Sequence, residues 1–267
     1  MILFLTSSPT GPLDGSRRVD GLDKMNRFVD NLRKYWKPDA RNLMITATPD
    51  NYAQNDEMID FFGNAVKKDG FSWSAFELWD RRTADVSKET LHSYDVIWLG
   101  GGHVPTQNRY FQELNLREKL KGFEGIVIGI SAGTMNSADV VYSQPEHEGE
   151  SVDPEYQRFI QGLDLTKVQI LPHYQMVKNY YLDGKRLYED ITYGDSFGQQ
   201  FLVLTDGSYM MSVDGKETVW GESYIIADGL LKNLCQTDEV SNIEKQNTEN
   251  FFGSLLSPKE KNITKTC

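Results

Sequence analysis

The sequence predicts an α/β protein with a mostly parallel, doubly wound sheet that is flanked by helices and extended by antiparallel strands in the C-terminal half. Short apolar runs alternate with segments of helical periodicity through the first half of the 267 residues. That alternation is typical of parallel strands joined by crossover helices. The second half is richer in β-type segments, and two of them flank Asp214-Gly215, a pair typical of a tight hairpin turn.

Five apolar runs predict the parallel strands, at 2–6, 42–47, 72–78, 95–99 and 125–130. Apolar residues recur at helical spacing over 22–36, before Pro38, and over 58–65, before Gly70, so each segment is predicted to be a helix. A further helix is predicted from about 107 to 121. Functional residues in open α/β sheets gather at the carboxyl ends of the strands. The loops after residues 99 and 130 are therefore the predicted site.

The second half supplies the predicted antiparallel extension of this sheet. Its candidate strands lie at 168–171, 201–204, 208–213 and 217–226, with one helix around 184–193. From about Asn242 the chain turns polar. We therefore predict a single α/β domain over 1–240 and a flexible tail over 241–267, with Phe251-Phe252 docked on the domain.

The composition predicts a soluble, cytoplasmic protein. No stretch of about 18 apolar residues is present to span a bilayer, and the apolar first six residues lack the positively charged flank of a signal peptide. Cys235 and Cys267 give neither a disulfide framework nor a metal-ligand spacing, which suits a reducing compartment. We expect neither a metal nor an organic cofactor.

The formal net charge of −11 speaks against a nucleic-acid partner, because binding to phosphates needs clustered Lys and Arg. The expected partner is a small peptide or peptide-like substrate, without membrane contact. The expected assembly is a monomer or a small homo-oligomer.

A serine motif ends the fifth predicted strand. Residues 125–130 are apolar or glycine and lead into Ser131-Ala132-Gly133, which completes a Gly-x-Ser-x-Gly pattern. The segment that follows can start a helix, and the order strand, tight turn, helix is the context of a nucleophile elbow. Small residues must flank the serine in such a turn, and its hydroxyl is pushed outward. The alternative is a glycine-rich turn whose serine only caps the helix.

A serine hydroxyl needs a base within hydrogen-bond reach, and the chain has four histidines. His92 and His147 lie in polar stretches typical of the surface. His103 follows a triple glycine, where main-chain N–H groups are better suited to a role than the ring. His173 ends a predicted strand and is expected to project from the same edge of the sheet as Ser131. We choose His173 as the base, the alternative being a histidine that only packs.

Together these residues resemble the dipeptidase E and cyanophycinase family of serine peptidases, which has the class I glutamine amidotransferase-like fold. The resemblance spans roughly residues 1 to 235. It rests on Gly-Gly-Gly at 100–102, Gly-Ile-Ser-Ala-Gly at 129–133, Pro-His at 172–173 and Leu-Thr-Asp-Gly at 204–207. Each segment is weak alone, and the combination is fairly specific.

The resemblance implies roles for five residues. Ser131 is the nucleophile, His173 is the general base, and Asp206 orients the histidine. The main-chain N–H groups of Gly102 and Ala132 form the oxyanion hole.

The residues themselves support Asp206 only in part. It follows the apolar run 201–204 and is expected at a strand end, but Asp-Gly is also a common turn signal. Asp139, Glu146 and Glu148 follow the serine motif and stay as alternatives for the acidic residue.

The resemblance implies Arg186 as a candidate for binding the substrate carboxylate. Family members that release N-terminal aspartate are expected to use an arginine in a Gly-Glu-Thr-Arg segment after the histidine, and this chain has Asp183-Gly184-Lys185-Arg186 there. Arginine suits the role because its planar fork binds a carboxylate with two hydrogen bonds. The alternative is a solvated charge on a helix, so aspartyl specificity stays open.

Three functions are compatible with these features. The first is a serine-type peptidase that hydrolyses small peptides through an acyl-enzyme on Ser131. The second is a catalytically silent ligand-binding member of the fold, and the third is an esterase or amidase that acts on a non-peptide metabolite. The related glutamine amidotransferases carry cysteine at the elbow, so the serine speaks against ammonia transfer.

Overall fold

The computed structural model describes residues 1–17, 19–237 and 239–243. The rest of the predicted tail, with Phe251-Phe252 and Cys267, lies outside the described residues. The strands are β1 (Ile2–Thr6), β2 (Ala40–Ile45), β3 (Trp73–Trp79), β4 (Val96–Leu99), β5 (Ile126–Ile130), β6 (Val140–Tyr142), β7 (Phe159–Gln161), β8 (Gln169–Leu171), β9 (Tyr181–Leu182), β10 (Lys185–Arg186), β11 (Gln200–Leu204), β12 (Tyr209–Val213), β13 (Lys216–Trp220), β14 (Ser223–Ala227), β15 (Leu230–Cys235) and β16 (Val240–Ile243). The α-helices are α1 (Phe28–Arg33), α2 (Tyr52–Lys68), α3 (Lys88–Leu91), α4 (Val104–Glu113), α5 (Leu116–Leu120), α6 (Ala132–Asn136), α7 (Tyr174–Val177) and α8 (Tyr193–Asp195).

An eight-stranded main sheet has the order β16-β13-β12-β1-β5-β4-β2-β3. The strands from β1 to β3 in this order are parallel, and β12, β13 and β16 are added antiparallel at one side. The predicted fold class is therefore confirmed, and the five predicted parallel strands lie within two residues of the observed ones. Central strands β4 and β5 are buried along their whole length, as expected for parallel strands covered on both faces.

A second, four-stranded sheet has the order β15-β14-β11-β8, with β8 and β11 parallel. The prediction of one strand over 217–226 is wrong. The chain leaves the main sheet at Trp220 and enters the second sheet at Ser223. Gly221 turns the chain with φ of 90°, and a Cβ atom added there would lie 2.2 Å from the Asn26 amide nitrogen. This crowded turn separates the two strands.

The core follows the alternation of side chains along the strands. In β1, Leu3 and Leu5 point into one buried cluster, and Phe4 points into another with Phe28 and Tyr209. A third cluster packs α6 against the second sheet, with Ala132, Met135, Leu171, Phe201 and Val203 among its members. This packing holds the start of α6 close to the second sheet.

Two predicted helices are shorter or interrupted because residues take left-handed backbone conformations. Over 22–36, Asn26 and Arg27 have φ of 52° and 57°, so α1 begins only at Phe28. The side-chain amide of Asn26 donates to the Gly207 carbonyl at 2.8 Å, a tertiary contact that apolar spacing does not reveal. The predicted helix over 107–121 breaks at Asn115, where φ is 49°.

The predicted helix around 184–193 is replaced by other elements. Asp183 and Gly184 have φ of 52° and 76° and join β9 to β10 in a hairpin, and a π-helix follows over Leu187–Thr192. The hairpin predicted at Asp214-Gly215 is confirmed between β12 and β13. The predicted domain boundary at residue 240 falls in β16, which pairs with β13. In the described part of the chain, no helix is both long and apolar enough to cross a membrane.

Candidate active site

Ser131 occupies a sharp turn between β5 and α6. Its backbone has φ of 49° and ψ of −109°, a combination that non-glycine residues rarely adopt. Such strain persists only where the surroundings hold it. Here the Ser131 N–H donates to the Thr6 carbonyl at 3.2 Å, and the Ser131 carbonyl accepts from Met135 N–H at 3.0 Å. The predicted strand-turn-helix context is present, and the side chain is partly open to solvent.

The glycines on both sides of the serine are required by close packing. A Cβ atom at Gly129 would lie 2.8 Å from Thr134 Oγ1, and one at Gly133 would lie 2.2 Å from the Leu99 carbonyl oxygen. Real Cβ atoms do not approach backbone atoms so closely. The Gly-x-Ser-x-Gly spacing is therefore a consequence of close packing on both sides of the turn, at Gly129 against α6 and at Gly133 against β4.

Replacing Gly133 by alanine is expected to lower the free energy of unfolding by about 3 kcal/mol, because the new methyl group meets the Leu99 backbone. Denaturant unfolding followed by circular dichroism measures the change. Gly194→Ala is the matched control, since no atom lies within 4 Å of its added Cβ. Equal stability of the two variants would contradict the packing argument.

His173 follows β8 and directs its ring at Ser131. Its Nε2 atom lies 2.8 Å from Ser131 Oγ, and its Nδ1 atom lies 2.6 Å from Asp206 Oδ1. Because a carboxylate only accepts, Nδ1 carries the proton in this pair, which leaves the Nε2 lone pair for the serine hydroxyl. The backbone of His173 is left-handed, with φ of 60°. The side chain is 15% exposed, so a small substrate can still reach the pair.

Asp206 lies in the turn that carries the chain from β11 in the second sheet to β12 in the main sheet. Its side chain is fully buried. Burial opposes the charged form, but hydrogen bonds from His173, Ser7 and Leu13 N–H outweigh it and lower the pKa of the Asp206 carboxyl. The carboxylate is therefore ionised at neutral pH and is available to hold the imidazole.

The predicted residues come from two sheets. We expected Ser131, His173 and Asp206 at the edge of one sheet, and this is wrong, because only Ser131 follows a strand of the main sheet. His173 and Asp206 follow β8 and β11, which are parallel neighbours in the second sheet. Their carboxyl ends meet at one edge, which brings the imidazole and the carboxylate together.

Sequence reasoning missed two side chains that bind Asp206. Ser7 Oγ lies 2.6 Å from Asp206 Oδ1. Gln175 makes two hydrogen bonds: its Nε2 donates to Asp206 Oδ2 at 2.7 Å, and its Oε1 accepts from Asp206 N–H at 3.0 Å. Ser7 directly follows the first strand, and Gln175 stands two residues after the histidine. The sequence carries no other signal for either residue.

Of the two predicted oxyanion donors, Ala132 directly follows the serine, and Gly102 belongs to the glycine loop after β4. A Cβ atom added to Gly101 would be 3.5 Å from Ser131 Cβ, so the glycine loop after β4 contacts the elbow. Gly102 has φ of 154°, and a Cβ atom there would lie 2.7 Å from Ala47 Cβ. Ala132 opens α6, where main-chain N–H groups lack partners within the helix. Neither Gly102 N–H nor Ala132 N–H donates to another described residue.

The other histidines have different partners. The ring nitrogens of His103 each lie 2.8 Å from an oxygen, one of Glu150 and one of Thr106, and burial lowers its pKa despite Glu150. His147 packs on His103 with ring centres 4.3 Å apart, and His92 Nε2 lies 2.8 Å from a main-chain carbonyl oxygen.

The alternative acidic residues do not reach His173. Asp139 accepts from Arg117 at 2.8 Å and from Lys167 at 2.7 Å. Among the described contacts, none joins Asp139, Glu146 or Glu148 to the imidazole.

Arg186 lies in β10 and is half exposed. Its Nε donates to Asp190 Oδ2 at 3.0 Å, so the guanidinium is paired within its own segment. The structure does not bring Arg186 into contact with Ser131 or His173. In the described part of the chain, no group of three or more His, Cys, Asp or Glu side chains has the arrangement of a metal site.

Comparison with known proteins found one matching family model and solved structures that are similar to this chain. The family model described as Peptidase family S51 matches residues 19–218. A crystal structure of a peptidase from an acI-B1 Actinobacterium superposes with a TM-score of 0.60 at 16% identity, over 91% of this chain and 96% of the other. A putative peptidase E protein from Listeria monocytogenes EGD-e gives a TM-score of 0.49 at 13% identity, over 91% and 98%. No curated protein sequence matches this chain significantly.

Proposed function

The chain belongs to peptidase family S51, and from this premise we propose that it is a serine-type hydrolase of small peptides with Ser131 as nucleophile. The family match confirms the resemblance to dipeptidase E and cyanophycinase proteins. The observation that carries the proposal is the continuous contact from Ser131 Oγ to His173 Nε2, at 2.8 Å, and from His173 Nδ1 to Asp206 Oδ1, at 2.6 Å.

In the proposed first half-reaction, His173 Nε2 takes the proton of Ser131 while Oγ forms a bond to the peptide carbonyl carbon. The N–H groups of Gly102 and Ala132 stabilise the resulting oxyanion. The C–N bond then breaks, and the imidazolium returns its proton to the leaving amine. Asp206 keeps Nδ1 protonated throughout and stabilises the imidazolium without taking up a proton.

In the second half-reaction, water attacks the ester carbon and gives its proton to His173. The bond to Ser131 Oγ breaks, the carboxylic acid leaves, and Oγ recovers the proton. Nothing but water enters this cycle beside the peptide. Small peptides are proposed as substrates because the family is one of peptidases. A preference for N-terminal aspartate is not part of the proposal, since Arg186 is paired with Asp190.

A fluorophosphonate probe tests the proposal, because it reacts with serine hydroxyls that are activated by a base. Mass spectrometry of the wild-type protein is expected to find the adduct on Ser131, and the Ser131→Ala variant is expected to stay unlabelled. Ser137→Ala is the control, since this buried hydroxyl only donates to the Gly133 carbonyl, at 2.7 Å. Labelling that persists in Ser131→Ala would remove Ser131 from the mechanism.

A further inference from the structure

Ser7 is a fully buried serine directly after β1. Its Oγ atom lies 2.8 Å from the main-chain nitrogen of His173, 2.6 Å from Asp206 Oδ1 and 3.4 Å from His173 Nδ1. One hydroxyl therefore contacts both the main chain of the base and the carboxylate that orients it.

The protons in this cluster have one consistent arrangement. The main-chain N–H of His173 can only donate, so Ser7 Oγ accepts there and keeps its own proton for Asp206 Oδ1. Asp206 Oδ1 then accepts two hydrogen bonds, one from Ser7 Oγ and one from His173 Nδ1. The Nδ1 proton therefore points to Asp206, and the lone pair of Nε2 can accept the proton of the Ser131 hydroxyl. In this arrangement no proton lies between Ser7 Oγ and His173 Nδ1, which are 3.4 Å apart.

We propose that Ser7 is a positioning residue that sets the main chain of His173 and the carboxylate of Asp206 with a single hydroxyl, so that the imidazole meets Ser131 in its basic form. This inference rests on the proposed function and deepens it. The Ser7 hydroxyl contacts His173 and Asp206, and it acts through these two residues.

Ser7 is suited to this role because it joins the two sheets. It follows Thr6, whose carbonyl accepts from Ser131 N–H at 3.2 Å, and its own N–H donates to the Ser208 carbonyl at 3.2 Å. The end of β1 therefore fixes the nucleophile through Thr6 and the base and acid through Ser7. A shift between the sheets would otherwise lengthen the contact from Ser131 to His173, and catalysis is sensitive to such displacements.

The left-handed backbone of His173 gives a second reason. A non-glycine residue rarely adopts φ of 60°, so contacts to its main chain must hold it in that conformation. Without Ser7 Oγ the partly buried N–H of His173 has no other acceptor among the described residues. The ring is then expected to sample orientations that do not reach Ser131.

Ser7→Ala tests the role, with Ser196→Ala as matched control. Ser196 is also fully buried, and its hydroxyl likewise accepts from a main-chain N–H, of Gly229 at 2.8 Å, and donates to an oxygen, the Tyr193 carbonyl at 2.8 Å. Ser7→Ala is expected to lower kcat about 10- to 100-fold and to slow fluorophosphonate labelling similarly, with KM changed less than about twofold. Ser196→Ala is expected to leave all three within about twofold. Denaturant unfolding compares the stability of the two variants.

A double-mutant cycle with Asp206→Asn separates positioning from a general loss of stability. If Ser7 acts through Asp206, the double variant is slower than Asp206→Asn by much less than Ser7→Ala is slower than wild type. If the two substitutions lower kcat by factors that simply multiply in the double variant, the proposal is overturned. An unchanged kcat in Ser7→Ala, or a change confined to KM, would also overturn it.

If Ser7→Ala does not fold, the nearly isosteric Ser7→Cys must show the loss of kcat, and an unchanged kcat there overturns the role. If the probe labels Ser131 in the wild type and kcat of Ser7→Ala is unchanged, only this inference is rejected. If the probe still labels the Ser131→Ala variant, the proposed function is rejected.

Discussion

His173→Ala is expected to lower kcat/KM for a peptide substrate by about 10⁶-fold, the scale of losing the base from a serine triad. The ring contacts Ser131 Oγ at 2.8 Å, and no other histidine ring is hydrogen-bonded to that hydroxyl within the described residues. Without the imidazole the hydroxyl has no group to take its proton. Steady-state kinetics with a short peptide measures the loss, and unfolding experiments establish that the variant is folded.

His92→Ala is the matched control, because His92 is another partly buried histidine with one ring nitrogen bonded, at 2.8 Å, to the Lys119 carbonyl. Its kcat/KM is expected to stay within about threefold of wild type. A residual activity of His173→Ala near that of the control would contradict a histidine base at this position.

The parallel part of the fold could be predicted from sequence because its signals are local. Strands β4 and β5 are buried on both faces, so they are continuous apolar runs. Gly-x-Ser-x-Gly was readable because the packing at Gly129 and Gly133 excludes every larger side chain. Each of these features leaves its mark within a few neighbouring residues.

The errors arise where a distant contact overrides the local pattern. Segment 217–226 is apolar enough for one strand, yet Gly221 turns beside Asn26 and sends the two halves into different sheets. Asn26 itself interrupts a segment with helical spacing because its amide binds the Gly207 carbonyl. Such contacts join residues nearly 200 positions apart, and helical or strand periodicity contains no record of them.

The same limit explains which site residues were found. His173 and Asp206 follow apolar strands, so strand-end reasoning reached them, although it assigned them to the wrong sheet. Ser7 has no motif, and its importance depends on the second sheet docking against the end of β1. Sequence reasoning can therefore select side chains that meet in the structure and still miss a residue that contacts them.

Asp206→Asn is expected to lower kcat about 10⁴-fold with little change in KM. An asparagine amide would donate to His173 Nδ1, at the position where the carboxylate now accepts at 2.6 Å, and the ring proton would move to Nε2. Nε2 would then have no lone pair for Ser131. Asp139→Asn is the control, since its partners are Arg117 and Lys167, and its kcat is expected to change less than about threefold. A larger effect at Asp139 than at Asp206 would reassign the acidic residue.

The stability of the same variants provides a second measurement, with a defined sign. The pKa of Asp206 in the folded protein lies below the ordinary value of an aspartate, so its ionised form stabilises the fold above the unfolded-state pKa of about 3.9. That contribution is lost as the pH falls through the lower folded-state pKa. Unfolding free energy measured from about pH 6 to pH 2 is therefore expected to fall less steeply below pH 4 in Asp206→Asn than in wild type. If the two slopes coincide, the hydrogen bonds from Ser7, His173 and Leu13 do not favour the ionised carboxylate, and the proton arrangement that leaves Nε2 basic loses its electrostatic support.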